Sequence, residues 1–428
     1  MYSLTFSSIL LLVLGSAWAC TNLIIRQAVR WGLQDVPNER SSHVRPTPRG
    51  GGAAIVVGSL TGFGLLGLGV MLLPHVIGHM WPDPDTIPAW VLDAGGQPPY
   101  RVLEELTHVV PLGLIPLAGA LIMAVTGLKD DRKPMGIRDR LLLQAFASTL
   151  LGLCLYSFLG GKAVFWHQLG LFWQAIGLPG SLDGSLATNQ NLLPILLAGA
   201  TAAALLVACV WWINLFNFMD GIDGIAACQA IFMLLAATWL RGGNVLTEPL
   251  SLISLIMAAA TAGFLVLNWA PARIFMGDAG SLFLGYSILS VAALDSAISA
   301  IGHHQRWQQG ALSDAPDPGG MTLWVWLILG ALFITDATVT LMRRALSGQN
   351  VGGAHRSHAY QRLSRHYNSH ARATLVYCLL NVFWLLPIAW IAHRWPESAA
   401  SATGIAYTPL ILLAWHLGAG RQDPSPRP

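Results

Sequence analysis

Apolar blocks long enough to cross a bilayer recur along the whole chain, and they constrain its fold more than any other feature. A helix of about 20 apolar residues spans a hydrocarbon core of about 30 Å. Only 11% of the 428 residues are charged, which is too few to cover the surface of soluble domains. We therefore predict an all-α, polytopic membrane protein with one domain over residues 1–428. This composition excludes secreted domains and free cytosolic enzymes.

Polar breaks divide the chain into 11 candidate spans. They centre on residues 3–25, 51–78, 108–128, 141–160, 191–213, 224–241, 249–268, 281–301, 323–342, 374–394 and 404–419. Arginines follow the first block and none precedes it, so we expect the N-terminus outside and the C-terminus in the cytoplasm. The connections on the cytoplasmic side, with the tail, then hold 19 of the 24 Lys and Arg residues, as the positive-inside rule requires.

The residues that could bind ligands or take part in catalysis lie in the five internal loops of the predicted cytoplasmic side. These loops are 26–50, 129–140, 214–223, 269–280 and 343–373. Asp130 and Asp131 are adjacent after a span, where two carboxylates are costly unless neighbouring Lys and Arg residues or Mg²⁺ compensate them. The fourth loop carries Asp278 in a Gly-Asp-Ala-Gly-Ser turn. That turn is either a simple N-cap or a site where helix N–H groups face an anion.

The third loop spaces four polar residues three apart, which places them along one helical face. They are Asn214, Asn217, Asp220 and Asp223. No basic residue neutralises the two acids, and acids at a membrane boundary indicate a functional site. Amides and carboxylates suit a base, a sugar or a metal.

The first and fifth loops are basic. Residues 343–373 hold six arginines and four histidines without any carboxylate. Such a loop binds either phosphate or anionic lipid head groups. Acids that can hold Mg²⁺ beside cations that can hold phosphates indicate phosphoryl transfer. At a membrane face, this predicts a transferase that joins a soluble, phosphate-containing donor to a lipid acceptor.

Five motifs, in this order, resemble those of the polyprenyl-phosphate N-acetylhexosamine-1-phosphate transferases, the MraY/WecA superfamily or glycosyltransferase family 4. They are Asp35-Val-Pro-Asn with Pro48-Arg-Gly-Gly-Gly, Asp130-Asp131, Asn214-x-x-Asn-x-x-Asp-Gly-x-Asp-Gly, Met276-Gly-Asp-Ala-Gly-Ser-Leu and the basic histidine loop. The resemblance covers about residues 35–363. Residues 353–363 are most similar to the WbpL-type enzymes that initiate O-antigen synthesis.

The resemblance implies that undecaprenyl phosphate attacks the β-phosphorus of a UDP-N-acetylhexosamine, with UMP leaving. It implies Mg²⁺, with Mn²⁺ as the alternative, and a location in the bacterial inner membrane with the active site facing the cytoplasm. The expected partners are the two substrates, the lipid bilayer and a second copy in a homodimer, with no nucleic acid.

Residue roles follow from the same resemblance. The catalytic residues would be Asp130, Asp131 and His358, and the metal ligands Asp278 and Asp131. The substrate-binding residues would be Asn214, Asn217, Asp220, Asp223, His355, Arg356, Arg49 and Lys133. The chain departs from WecA-like relatives in the fifth loop, where Tyr360 and Gln361 replace two histidines.

Several alternatives stay open on the sequence alone. A phospho-MurNAc-pentapeptide transferase is the alternative enzyme. A transporter of sugar nucleotides is the non-enzymatic alternative, with Asp295 and Asp336 as its ionisable residues inside spans. Either Asp130 or Asp131 would act as base or, in a two-step route, as nucleophile.

Overall fold

The computed structural model of the protein describes residues 2–37, 46–80, 99–158, 192–242, 248–308, 320–350 and 355–422. The helices are α1 Tyr2–Gln27, α2 Gly52–Met80, α3 Pro99–Arg132, α4 Ile137–Phe158, α5 Leu192–Phe218, α6 Ile225–Arg241, α7 Pro249–Asn268, α8 Gly277–Gln308, α9 Leu323–Leu329, α10 Ala331–Leu346, α11 Ala359–Tyr367, α12 His370–Leu380, α13 Leu386–Arg394 and α14 Ala399–His416. A π-helical turn, Asn381–Leu385, joins α12 to α13, and a 3₁₀ turn, Pro396–Ser398, precedes α14. The strands β1 Gln34–Asp35 and β2 Thr47–Pro48 form one short antiparallel pair.

Each predicted span coincides with a helix or with consecutive helices. In the described part, eight helices are long and apolar enough to cross a membrane, or nine if the bent pair α9–α10 is one span. The two other predicted spans correspond to α4 and to α6, which has only 17 residues. The all-α, multi-pass architecture is confirmed, whereas the number of 11 spans and the orientation of the termini stay predictions.

Some predicted segments fall outside the described residues. These are residues 38–45 of the first loop, 351–354 of the fifth loop, 81–98 and 309–319 in two connections predicted to lie on the opposite side of the membrane, and 159–191.

Helix α8 is central to the bundle and packs against α2, α3 and α5. Its Tyr286 is fully buried and donates a hydrogen bond to the Ala147 carbonyl of α4 at 3.0 Å. The indole of Trp212 on α5 donates to the Gly285 carbonyl at 2.8 Å. Polar groups inside an apolar bundle are costly unless paired, so these bonds fix how α4 and α5 pack on α8.

The chain bends by 72° between α9 and α10, at Gly330. A bend of this size removes backbone hydrogen bonds, which side chains must replace. Gln229 of α6 donates to the Leu329 carbonyl at 3.0 Å, and Asn381 in the π-helical turn donates to Gln229 at 2.7 Å. This buried relay stabilises the bend and sets the direction in which α10 runs toward the fifth loop.

Candidate active site

The first and fourth loops are joined by backbone hydrogen bonds. The β1–β2 pair turns the chain so that residues 47–52 lie beside residues 275–276. Phe275 donates to the Pro48 carbonyl at 2.8 Å, and Gly51 donates back to Phe275 at 3.0 Å. This extended pairing places Arg49 at the start of α8.

Two glycines allow helix ends to meet backbone to backbone at this point. A Cβ added to Gly52 would lie 2.1 Å from the Cα of Gly280, and one added to Gly127 would lie 2.2 Å from the Asp278 carbonyl oxygen. Any larger residue would push α2 or α3 away from α8. The glycine-rich motifs therefore set the distance between the loops that carry the acids.

The Asp131 carboxylate is buried and hydrogen-bonded at both oxygens. Its side chain is 0% exposed, and Arg49 donates to Oδ1 through Nε at 3.2 Å and Nη2 at 2.7 Å. The backbone N–H groups of Asp278 and Ala279 donate to its two carboxylate oxygens, both at 3.1 Å. Asp131 thus caps the start of α8 from another helix. One interpretation of the sequence expected these N–H groups to face a substrate anion, and the structure instead pairs two of them with Asp131.

Asp130 and Asp278 share one guanidinium. Arg140, at the start of α4, contacts Asp130 at 3.0 Å and Asp278 at 3.3 Å. The amide of Asn217 donates to Asp278 at 3.0 Å and to Ser281 at 2.8 Å. The Asp130 and Asp278 side chains are 12% and 22% exposed, so both reach the surface of the site.

Asp220 lies in the third loop, close enough to these acids for their charges to affect its pKa. Burial and repulsion from Asp278, Asp131 and Asp223 raise its pKa to about 8. We call the four carboxylates Asp130, Asp131, Asp220 and Asp278 the acidic cluster. Only Arg49 and Arg140 form ion pairs with it in the described part of the chain. The ionised cluster would carry an excess of two negative charges, which a divalent cation would neutralise.

The donor set limits how such a cation would be held. Among the described residues, no three His, Cys, Asp or Glu side chains are arranged to hold a metal ion. Mg²⁺ commonly takes one or two carboxylates and completes its shell with water and substrate phosphates. Asp130 and Asp278 fit that pattern, because their bridging Arg140 already marks a place for positive charge between them. Asp131 fits it less well, because its side chain is fully buried and already accepts four hydrogen bonds.

The remaining third-loop residues support the site through their own bonds. Asn214 and Gln144 exchange reciprocal amide hydrogen bonds of 2.6 and 3.2 Å in a buried position. Asp223 accepts from the Ala272 backbone N–H at 3.0 Å and lies 3.2 Å from His370 Nδ1. Asn214 thereby ties α4 to α5, and Asp223 ties the third loop to the fourth loop and to α12.

The fifth loop lies against the third through an aromatic stack. The rings of His355 and His358 stack at 5.0 Å, and those of His358 and Tyr360 at 5.5 Å. The Tyr360 hydroxyl donates to the Phe218 carbonyl at 3.1 Å, just before the Asp220 loop. Gln361 accepts from the His358 backbone N–H at 3.3 Å as part of the α11 cap. Tyr360 and Gln361, which replace the two histidines, therefore both stabilise the fifth loop.

The structure brings the predicted site residues of all five loops to one end of the bundle. Lys133 is exposed on the turn after α3. Arg356 is partly buried, and its backbone carbonyl accepts a hydrogen bond from the Arg365 guanidinium at 3.0 Å. Sequence reasoning missed Arg140 and Gln144, and it counted His370 only among the four histidines of the fifth loop. Arg140 and Gln144 carried a signal, since they lie four apart at the start of α4 and share a helical face.

A bundle of apolar helices with carboxylates and guanidiniums at one end is the arrangement expected of the predicted multi-pass membrane transferase, and comparisons with known proteins support that class. Residues 114–296 match the model of the family described as "Glycosyl transferase family 4". The chain is 27% identical to the decaprenyl-phosphate N-acetylglucosaminephosphotransferase of Mycolicibacterium smegmatis over 400 residues, which cover 90% of this chain and 82% of that protein. It is 28% identical to the probable undecaprenyl-phosphate N-acetylglucosaminyl 1-phosphate transferase of Bacillus subtilis over 366 residues, 84% of this chain and 77% of that protein.

A third relative acts on a different sugar. The chain is 28% identical to the phospho-N-acetylmuramoyl-pentapeptide-transferase of M. smegmatis over 319 residues, 66% of this chain and 76% of that protein. The family match over residues 114–296 and these relatives support the predicted resemblance to the MraY/WecA superfamily.

Proposed function

We propose that this chain transfers N-acetylhexosamine 1-phosphate from a UDP-sugar to undecaprenyl phosphate and releases UMP. The reaction takes place at the cytoplasmic face of the bacterial inner membrane and initiates O-antigen or related cell-envelope glycan synthesis. The observation that carries the proposal is the meeting of the acidic cluster with Arg49 and Arg140 at one end of an apolar bundle. The names of the two N-acetylglucosamine relatives support UDP-N-acetylglucosamine as the first donor to test.

Asp130 and Asp278 would hold Mg²⁺, with Mn²⁺ as the alternative. When bound, the cation neutralises charge on the donor phosphates. The resemblance predicted Asp131 as a further ligand. Its contacts support a positioning role instead, because it fixes Arg49 and the start of α8. Asp220 would add negative charge beside the two ligands once a bound cation displaces its proton.

Arg49 and Arg140 supply the positive charge for the phosphates. A guanidinium has five N–H groups in a planar fork that matches phosphate oxygens. The described bonds engage two nitrogens of Arg49 and one of Arg140. Both side chains therefore have donors to offer. His355 and Arg356 would contact the sugar and phosphates from the fifth loop.

In the proposed reaction, an oxygen of the lipid phosphate forms a bond to the β-phosphorus of the donor. The bond from that phosphorus to the oxygen bridging the two phosphates breaks, and UMP leaves with that oxygen. A phosphate dianion is already a competent nucleophile, so a strong base is optional. Either Asp130 or Asp131 would take a proton from a monoanionic lipid phosphate, and Asp130 is the partly exposed member of the pair. In the two-step alternative, the same carboxylate is the nucleophile.

Release of UMP by the purified chain tests this function. With Mg²⁺, undecaprenyl phosphate and UDP-N-acetylglucosamine, we expect release that stops in excess EDTA and returns with Mg²⁺. Asp278→Asn should abolish release while the protein stays folded. Asp139→Asn is the matched control, because this acid is exposed and lies beside Arg140 without belonging to the acidic cluster. Full activity of Asp278→Asn, or equal loss in both variants, would contradict the assignment.

A donor panel separates the two enzyme alternatives. The fifth loop lacks two histidines of WecA-like relatives, so the panel should include UDP-FucNAc, UDP-QuiNAc and UDP-MurNAc-pentapeptide beside UDP-N-acetylglucosamine. We expect turnover with a simple N-acetylhexosamine donor. Turnover with UDP-MurNAc-pentapeptide alone would make the chain a peptidoglycan-precursor transferase. Assembly as a homodimer is proposed as well and is tested by light scattering.

A further inference from the structure

Asp336 is a buried carboxylate that the proposed chemistry does not use. It lies on α10, six residues after the bend at Gly330, and is 2% exposed. The described part of the chain places no Lys or Arg in an ion pair with it, and its one charged partner would be His358, whose Nδ1 is 3.3 Å away. An ionised carboxylate in an apolar bundle needs hydrogen bonds to offset its lost hydration.

Five donors converge on this carboxylate from three helices. The Ala359 and Tyr360 backbone N–H groups donate at 2.7 and 2.9 Å, and the Tyr377 hydroxyl donates at 2.8 Å. The Thr340 hydroxyl lies at 3.2 Å, and His358 completes the set. Asp336 thus caps the N-terminus of α11 from another helix, because its two oxygens take the first N–H groups of that helix.

These bonds matter because packing under α11 is incomplete. A cavity of about 250 Å³ lies between α11 and the helices α10, α12 and α14. Its walls include Leu332, Leu363, Val376 and Leu413, with Asp336 at one side. Side chains of α11 therefore lack close neighbours on this side. The hydrogen bonds of Asp336 add fixed contacts at the N-terminus of the helix.

The segment that Asp336 fixes reaches the acidic cluster. Tyr360 directly follows the capped N-terminus, is fully buried and bonds to the Phe218 carbonyl. A Cβ added to Gly221 would lie 2.0 Å from the Tyr360 hydroxyl, so the tyrosine packs directly against the third loop. The Asp336 carboxylate also selects the ring orientation of His358, as a carboxylate beside one imidazole nitrogen commonly does.

We infer that Asp336 is a positioning residue for the nucleotide-sugar side of the site. It holds the His355–His358–Tyr360 stack against the third loop through the N-terminus of α11. This role rests on the proposed function, because the substrate that feels the change is the UDP-sugar. Loss of the carboxylate should therefore raise the KM for the donor and leave the KM for the lipid phosphate unchanged.

Asp295 offers a matched control within the same bundle. It is 1% exposed and also accepts four hydrogen bonds, two from Arg241 at 3.2 and 3.1 Å and one each from Trp326 and the Met321 backbone at 3.1 Å. It lies 17 residues after Asp278 along α8, about 25 Å away at 1.5 Å per residue. Asp295→Asn removes a comparable buried carboxylate and leaves Arg241 unpaired, so it should destabilise the protein at least as much as Asp336→Asn.

The test compares Asp336→Asn with Asp295→Asn in steady-state transfer, thermal melting and hydrogen exchange. An Asn keeps one acceptor oxygen but turns an NH₂ toward a backbone N–H, so Asp336→Asn should raise the donor KM about tenfold or more. The KM for lipid phosphate should stay within about twofold, and Asp295→Asn should leave both values unchanged. Amide exchange in residues 358–364 should accelerate only in Asp336→Asn. Equal effects of both variants on KM and exchange would overturn the inference.

Tyr377→Phe keeps the test decisive if Asp336→Asn does not fold. It removes one of the five donors and should raise the donor KM about twofold to threefold without changing the lipid KM. An unchanged donor KM in a Tyr377→Phe protein with accelerated exchange at 358–364 would overturn the inference. If the wild-type chain transfers no sugar phosphate, the proposed function fails. Hydrogen exchange alone then decides the role of Asp336, with selective acceleration at 358–364 supporting it and its absence refuting it.

Discussion

Asparagine substitutions at Asp130 and Asp131 should change the stability of the protein to different extents, although the two residues are adjacent and chemically identical. Asp131 is 0% exposed and accepts four hydrogen bonds, two of them from Arg49. Asn keeps one acceptor oxygen, so Asp131→Asn should lose about two of these bonds, and hydrogen bonds to charged groups contribute about 1.5–3 kcal/mol each. With an unfolding entropy of about 2.1 cal/mol/K per residue, Asp131→Asn should lower the melting temperature by about 3–6 °C.

Asp130→Asn should behave differently in the same assay. Its side chain is 12% exposed, and Arg140 keeps its contact with Asp278 at 3.3 Å after the change. A partly exposed ion pair contributes about 0–1 kcal/mol, and removing one acid also relieves repulsion within the cluster. The melting temperature in EDTA should therefore change by no more than about 1 °C.

The response to Mg²⁺ completes this comparison. A ligand that binds only the folded protein raises its melting temperature in proportion to RT ln(1 + [L]/Kd). Wild type and Asp131→Asn should both gain stability on Mg²⁺ titration, followed by intrinsic tryptophan fluorescence in detergent, whereas Asp130→Asn should not. The reasoning is refuted if Asp131→Asn melts like wild type in EDTA, or if Asp131→Asn loses the Mg²⁺ response and Asp130→Asn keeps it.

Other features of the site give further predictions. The pKa of Asp220 is raised to about 8, so the folded apoprotein binds a proton that Mg²⁺ must displace. The apparent Kd for Mg²⁺ should therefore fall as pH rises toward 8, and Asp220→Asn should weaken but not abolish this dependence in calorimetric titrations, because burial also raises the pKa of Asp278 to about 7. Because the pKa is raised, stability in EDTA should decline as pH rises toward 8, and a rise instead would contradict the assignment. Gly127→Ala should lower both the melting temperature and UMP release, because its Cβ would lie 2.2 Å from the Asp278 carbonyl oxygen, whereas Gly113→Ala on the same helix faces open space and should change neither.

The sequence predicted the helices well because the signal is local. Runs of apolar residues and the sides on which Lys and Arg accumulate are both readable without tertiary information, and each predicted span coincides with helix. The bend at Gly330 was not predicted, since it depends on Gln229 and Asn381, which are 100 and 152 positions away from their hydrogen-bond partners Leu329 and Gln229. Such distant partners cannot be inferred from one sequence.

The candidate site was predicted by residue type but not by pairing. The adjacent acids Asp130 and Asp131 carry the same sequence signal, yet one faces Arg140 at the surface and the other is buried against Arg49. Burial separates them, and burial follows from the close approach of α3 and α8. The partners of Asp336 could not be predicted either. The sequence identifies it only as an ionisable residue inside a span, because folding brings its five hydrogen-bond donors together.

The fate of the donor's β-phosphorus tests the central claim most directly. Purified protein would be given UDP-N-acetylglucosamine labelled with ³²P at that phosphorus, together with undecaprenyl phosphate and Mg²⁺. Sugar-phosphate transfer predicts that the label moves into the lipid fraction in a 1:1 ratio with unlabelled UMP. Label that leaves as UDP while unlabelled sugar joins the lipid, or label that stays on the intact donor under all conditions, would contradict the account.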